Sequence, residues 1–360
     1  MRFAICLKSG FRTVIRIWEE GSREYDEPQI RFYDLAAKAV KIAGLAMAIR
    51  PPPKSDHQPD LFAASFADIP IRDQRDTMER PFFSLAKRPR LTPIEYKVGD
   101  VWVEVSANAQ FGMATIWDAD ILIWASTQVT EALDRKLTPS RTIKFHPYNL
   151  LRSIRRTTGG ADYLRLRAAL ERLTHTAVRT NIRADGKQKF ASFHWLECWT
   201  ETIDEATGDP TGMTVTLPDW LYAGIVDRGG VLTIHEDYFL LSGGIERWLY
   251  RVVRKHGGSQ PGGWSFTMRQ LYEKSGSSAR PSDFALDIRR LVAANQLPEY
   301  ELSIDRNREG DEIVRFIHRA QLALDHPARE YARAPMRRQS RGIYAESWKV
   351  NNLSKNDTGD

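Results

Sequence analysis

The sequence predicts an α+β protein built from two tandem helix–turn–helix–hairpin units, with an N-terminal extension and a basic, polar C-terminal tail. Three observations carry this reading. Residues 150–190 hold ten basic residues against three acidic ones, a local charge of +7 where the whole 360-residue chain carries +6. That charge rides on an ordered pattern: Leu164, Leu166, Leu170 and Leu173 recur at near-helical spacing, which predicts a helix with one buried face and outward arginines. The alternating run Ala177-Val178-Arg179-Thr180-Asn181-Ile182 is then followed by Asp185-Gly186 and by Phe190-Ala191-Ser192-Phe193. Asp-Gly between such runs is a strong hairpin signal. A short helix, a Gly-Gly turn, a basic helix and a basic hairpin make the layout of a winged helix. Such a helix fits a DNA major groove, and the hairpin lies along phosphates.

Along the chain, residues 1–60 read as a partly disordered extension. An amphipathic helix over 32–49 is stopped by Arg50-Pro51-Pro52-Pro53. Residues 61–110 read as an arm and a strand: 73–90 is charged and turn-rich, and 101–105 alternates. The first winged-helix domain spans 111–205, with a helix over 119–133 capped near Thr115 or Asp118, a middle helix over 147–155 and a recognition-type helix over 161–174. The polar stretch 207–212 separates it from a second winged-helix domain at 213–322. There, short elements over 217–225 and 234–241 lead to a helix over 245–255, a further helix over 267–274, and a recognition-type helix over 282–295. Strands over 299–304 and 312–318 flank the turn Arg306-Asn307-Arg308-Glu309-Gly310. Residues 247–290 hold nine basic residues against three acidic ones, a second local maximum of +6. Residues 323–360 read as a basic polar tail with a short helix over 344–348.

Composition narrows the function. A 42% hydrophobic content with ten tryptophans supports sizeable cores, and a pI near 9.2 favours a polyanionic partner. The two cysteines, Cys6 and Cys198, lie far apart and offer no disulfide framework or zinc spacing, which points to a reducing cytoplasm. The best apolar run, 35–49, is short and interrupted by Lys38 and Lys41, so no membrane span or secretory signal is expected.

The candidate DNA contacts in the first domain are Arg155, Arg156, Tyr163, Arg165, Arg167, Arg172, Arg183, Lys187 and Lys189. In the second they are Ser278, Arg280, Ser282, Arg289, Arg290, Arg306 and Arg308. Phe284, Ile288 and Leu291 recur at core spacing, so only one of Arg289 and Arg290 is expected to reach the groove. A charge run is commonly just a solvated helix face, but here it recurs on two units of one layout. Trp195, Trp199, Trp220, Trp248 and Trp264 read as core and interface anchors rather than base-stacking platforms.

No catalytic residue, metal or cofactor is expected. Asp118 and Asp120 could pair on a metal as in a nuclease, but Asp118 is better explained as a helix cap. The P-loop pattern is absent. His194 and Cys198 are about 13 Å apart if they lie on a strand. No two of the eight histidines are separated by one residue, which argues against a His-x-His nicking centre.

MERPFFSLAKRPR (78–90), ATIWDADILIW (114–124), RTTGGADYLRLRAALERLTHTAVRTNIR (156–183), LPDWLYAGIV (217–226), HEDYFLLSGGIERWLYRVVRKHGG (235–258) and GWSFTMRQLYEKSGS (263–277) occur in linear order. Together they resemble the replication initiator protein A family of bacterial plasmids, over residues 61–319. The resemblance implies a theta-type, non-cleaving initiator that binds double-stranded origin repeats and helps open the duplex for helicase loading. It implies a host replication initiator and the replicative helicase as further partners, with a homodimer among the states it allows and no membrane. The alternative on the same folds is a transcriptional repressor, including one that acts on its own promoter.

Overall fold

The computed structural model describes residues 69–184, 189–206, 210–258 and 260–329. The helices expected over 32–49 and 344–348 lie outside these residues. In order, the described elements are β1 (Ile71–Gln74), β2 (Ile94–Val98), β3 (Val101–Ser106), α1 (Ala119–Asp134), β4 (Thr142–Phe145), α2 (Pro147–Ser153), α3 (Gly160–His175), β5 (Ala177–Thr180) and β6 (Ala191–His194). There follow β7 (Cys198–Ile203), β8 (Pro210–Thr216), α4 (Asp219–Val226), β9 (Val231–Ile234), α5 (Gly244–Gly257), β10 (Trp264–Thr267), α6 (Met268–Ser275), α7 (Pro281–Ala294), β11 (Tyr300–Arg306) and β12 (Glu312–His318). Helices alternate with small sheets ordered β2-β3-β5-β6, β4-β8-β7, β10-β12-β11 and β1-β9.

The order helix, strand, helix, helix, strand, strand occurs twice, as α1-β4-α2-α3-β5-β6 and as α5-β10-α6-α7-β11-β12. In the first unit α3 buries Tyr163, Leu166, Ala169, Leu170 and Leu173. Residues 163, 166, 170 and 173 fall on one helical stripe, so Leu164, expected in the core, instead faces outward. Each large apolar side chain removed from water there contributes about 1.5–3 kcal/mol. In the second unit Phe284, Ile288 and Val292 of α7 are buried with Leu271 of α6, and Leu291 lies at the edge. Thr267 and Gln270 form a reciprocal cap at the start of α6, satisfying backbone donors that the helix leaves open.

The two units differ in how their second element is paired. β10 pairs with β12 of its own unit, whereas β4 pairs with β8, Ile143 facing Val215. Strand β8, which starts within the polar stretch expected to separate the two domains, thus pairs with both β4 and β7 of the first unit. Met213 and Val215 are buried at alternate positions of β8. The charged segment 73–90 also runs inward. Met78, Phe82 and Phe83 are buried, and Trp195 stacks on Phe83 at 4.6 Å and meets Phe82 edge-on at 5.5 Å.

Buried charge fixes α5 against the amino-terminal half. Arg247 and Arg251, one turn apart on α5, are only 4% and 2% exposed. Arg251 donates to both oxygens of Asp73, at 2.7 and 3.0 Å, and to the Thr77 hydroxyl at 2.7 Å. Arg247 donates to Asp120 at 2.6 Å and to the carbonyls of Leu241 and Phe239 at 2.7 and 2.9 Å. These arginines had been counted in the second basic maximum; they contribute nothing to its surface. Glu79 makes a third tie, with His256 at 2.6 Å, Arg80 at 2.8 Å, Lys255 at 3.1 Å and Lys274 at 3.6 Å. Burial alone would raise the Glu79 carboxyl, but the His256 hydrogen bond and the surrounding cations hold it well below the usual carboxylate range.

Two outcomes are expected. Asp73→Asn leaves Arg251 buried without a counter-charge and should cost about 3–5 kcal/mol, read from the urea midpoint. Asp73→Leu combined with Arg251→Met removes both charges and should recover much of that loss; equal instability of the single and double variants would mean that shape, not charge, sets the cost. For Glu79 the folded state resists protonation more than the unfolded state, so its contribution is full at neutral pH. It is lost as pH falls below about 4.3 towards the depressed folded value. Glu79→Gln should flatten the acid limb of the stability–pH profile.

Candidate nucleic-acid interface

With its apolar stripe buried, α3 turns Arg165 and Arg167 outward, and the Arg165 side chain is 48% exposed. Arg165 pairs with Asp162 one turn earlier at 2.7 Å, and Arg167 reaches Glu201 at 3.6 Å. Both guanidinium groups are about half exposed, within reach of a phosphate or a base edge, although the carboxylates they pair with are largely covered.

Other predicted contacts on this unit are held inside the protein. Arg172, 25% exposed, grips both oxygens of the buried Asp118 at 2.7 Å. Asp118 stands at the N-cap position of α1 but makes no capping hydrogen bond there; its carboxylate accepts from Arg172 and from the Thr115 N–H. Tyr163 is buried in the core. Arg156 donates to the Trp117 carbonyl at 2.6 Å and to Asp120 at 3.0 Å. Asp118 and Asp120, weighed as a metal pair, are thus each held by guanidinium groups. Among the described residues no group of three or more His, Cys, Asp or Glu side chains is arranged to hold a metal. Arg155, by contrast, is exposed; it lies in the left-handed region at φ +58° and pairs with the equally exposed Glu236 ahead of α5.

Arg183 closes the base of the β5–β6 hairpin. Its guanidinium lies 3.9 Å over the Trp220 ring, donates to the Trp220 carbonyl at 2.7 Å and meets Asp76 at 3.1 Å. Trp220 in turn stacks on Phe193 at 4.7 Å and donates from its indole to the Ile182 carbonyl at 3.2 Å. Gly224 leaves the space that the guanidinium fills; a Cβ there would collide with it. Lys187 lies outside the described residues, and Lys189 is exposed beside them.

On the second unit Gly276 ends α6 at φ +57°, where a Cβ would strike Pro81. Ser278 is exposed in the following turn, and α7 starts with Arg280 at its N-cap and Pro281 at its first position. Opposite the buried Phe284 and Ile288, α7 carries Ser282, Arg289 and Arg290 in solvent, and Arg280 is exposed at its N-cap. Arg280, 81% exposed, pairs with Asp283 at 2.9 Å. Arg289 crosses to β12 and grips both oxygens of Glu312 at 2.7 and 2.9 Å, a bond that lowers the Glu312 carboxyl below its usual range. Arg290 has a looser partner, Asp287 at 3.3 Å. At the β11–β12 turn Arg306 donates to the Gly310 carbonyl at 2.8 Å, and Arg308 is exposed.

Sequence reasoning overlooked two exposed arginines here. Arg269 lies in the first turn of α6, and Arg315 lies on β12 between the buried Val314 and Phe316. Strand alternation could have flagged Arg315. Conversely, Arg247, Arg251, Lys255 and Lys274 are largely internal, so the second basic maximum is much weaker on the surface than in the sequence. Of the tryptophans read as anchors, Trp195 and Trp248 are buried and Trp199 and Trp220 packed at the edge, whereas Trp264 is exposed.

The sequence profile of the replication initiator protein A family matches residues 72–302. A protein of Wigglesworthia glossinidia brevipalpis described as "Putative replication protein" is 34% identical over 236 residues, spanning 64% of this chain and 84% of the relative. Among solved structures, domains 2 and 3 of RctB superpose with a TM-score of 0.50 at 12% identity, covering 67% of this chain and 95% of that one. At that identity the likeness is one of fold.

The geometry separates structural from exchangeable arginines, and melting should separate them too. Arg172→Ala strands the buried Asp118 and should lower stability by about 3–5 kcal/mol. Arg165→Ala should cost distinctly less, since its guanidinium is half in solvent and strands no fully buried carboxylate. A large drop with Arg165→Ala would show that it, too, is a strut.

Proposed function

The chain belongs to the replication initiator protein A family, and from that premise we propose that it is a sequence-specific double-stranded-DNA-binding initiator of plasmid replication. One observation carries the reading. Two units of the same element order each hold a helix by a buried apolar stripe and turn its arginine-bearing face to solvent. On this reading both units are winged helices: α2–α3 and α6–α7 are the helix-turn-helix pairs, α3 and α7 the recognition helices, and β5–β6 and β11–β12 the wings.

The chemistry is binding, with no catalytic step. Cations neutralise phosphates and set the register, and a few forked side chains read bases. Arg165 and Arg167 serve α3. On α7 the reading falls to Arg280 and Arg290, because Arg289 is tied twice to Glu312. Two units bound in tandem to origin repeats can bend the duplex and strain an adjacent AT-rich stretch, favouring opening and helicase loading. A host initiator, the replicative helicase and a second copy of the chain are the partners this role calls for, in the bacterial cytoplasm.

A titration against a duplex carrying tandem direct repeats tests the proposal. If about six phosphates are neutralised, log K should fall against log salt with a slope near −5. A slope near zero would sink the reading. Arg165→Ala or Arg167→Ala should weaken binding by about 1–3 kcal/mol. Selection from randomised repeats separates the roles: Arg290→Ala should relax preference at one position, and Lys187→Ala should weaken all sequences alike. The reverse pattern would mean that wing and helix have exchanged tasks.

A further inference from the structure

Resting on the DNA-binding reading, we propose that the arm loop carrying Lys87 and Arg88 is a third contact, to duplex phosphates, set between the lead-ins of the two outward helices. The loop is held at both ends. Ser84 bridges to Thr115: its N–H donates to the Ala114 carbonyl, and its carbonyl accepts from the Ile116 N–H, both at 2.9 Å. Six residues on, the Arg90 carbonyl accepts from the Met113 N–H at 3.0 Å, and the Arg90 guanidinium donates to the Gly276 carbonyl at 2.6 Å. Between these anchors Lys87, Arg88 and Pro89 are exposed.

The anchors place the loop. The Lys87 ammonium stands 5.7 Å from the centre of the Trp117 ring, within cation–π range. Trp117 is also the residue whose carbonyl receives Arg156, in the lead-in to α3. Gly276 ends α6 in the turn that leads into α7. One cationic loop therefore touches the approach to both helices, where a duplex engaged by the two units must pass.

The charges are also open. Arg165, Arg167, Arg280 and Arg290 each have a carboxylate partner. Among the described residues Lys87 and Arg88 have none. A cation without an internal partner breaks no pair when a phosphate arrives, so the whole gain from counterion release remains. The loop is short and stiffened by Pro89, which suits it to the backbone rather than a base edge, and the contact should position without specifying.

The test is a salt titration of the full chain with Lys87→Ala/Arg88→Ala, on a repeat duplex and on a scrambled duplex of equal length. Losing two phosphate contacts should make the slope shallower by about 1.8 and lower affinity about tenfold or more near 0.1 M salt on both duplexes. Melting should not change, and Lys87→Arg/Arg88→Lys should bind like the parent. Should the alanine pair lower the melting point, Lys87→Gln/Arg88→Gln reads the same slope. A parent that binds with steep salt dependence, beside a charge-free variant of unchanged slope, overturns the loop contact alone. A loss confined to the repeat duplex overturns it as well, since the loop would then act on sequence reading. A parent with no salt-dependent binding overturns both the contact and the functional reading beneath it.

Discussion

The architecture depends on the need to neutralise two guanidinium groups in a dry interior. Stripping a charge of water costs several kcal/mol unless a partner and the remaining hydrogen bonds are supplied in place. Arg251 finds Asp73 on β1, and Arg247 finds Asp120 on α1. Both carboxylates come from the amino-terminal half of the chain and both arginines from a single turn of α5. The carbonyls of Leu241 and Phe239 and the Thr77 hydroxyl take up further donors. Such pairs add little net stability over a well-packed apolar seam, but they tolerate no misfit. They act as register marks, admitting one placement of α5 on the arm and on α1.

The same accounting of partners sorts the surface. Arginines facing buried carboxylates, such as Arg172, Arg247 and Arg251, are part of the scaffold. Those facing exposed carboxylates on their own helix, such as Arg280 and Arg290, can trade partners at little cost. Arg289 lies between these classes: exposed, but held twice by Glu312 on the neighbouring strand. That bond ties α7 to the hairpin behind it and helps fix how the helix is presented.

Much of this was legible in the sequence. Apolar periodicity located α3 and α7, and alternation around Asp-Gly located the β5–β6 pairing, because these are local patterns. The tandem order of elements followed from them. The ranking of the arginines was not legible, because burial of Arg251 depends on Asp73 and that of Arg247 on Asp120, far away in sequence. The polar stretch 207–212 misled for the same reason. β8, which begins within it, is tied to β4, and that partner lies far away in sequence. Short strands such as β1 and β10 were missed because four residues carry too little alternation to stand out. Tyr163 and Leu164 exchanged places because neighbouring positions differ by about 100° around a helix.

The pairing of β1 with β9 bears on how the protein is made. Ile71 faces Ile234, so the first described strand waits about 160 residues for its partner. At roughly 5–20 residues per second, that delay on the ribosome is on the order of ten seconds. During it β1 lacks its partner strand and Asp73 its counter-charge. The amino-terminal unit is therefore completed at β1 only after β9 and α5 have been made. Its last stage of folding is deferred until α5 has left the exit tunnel, which makes this stretch of synthesis the natural point for a chaperone to engage.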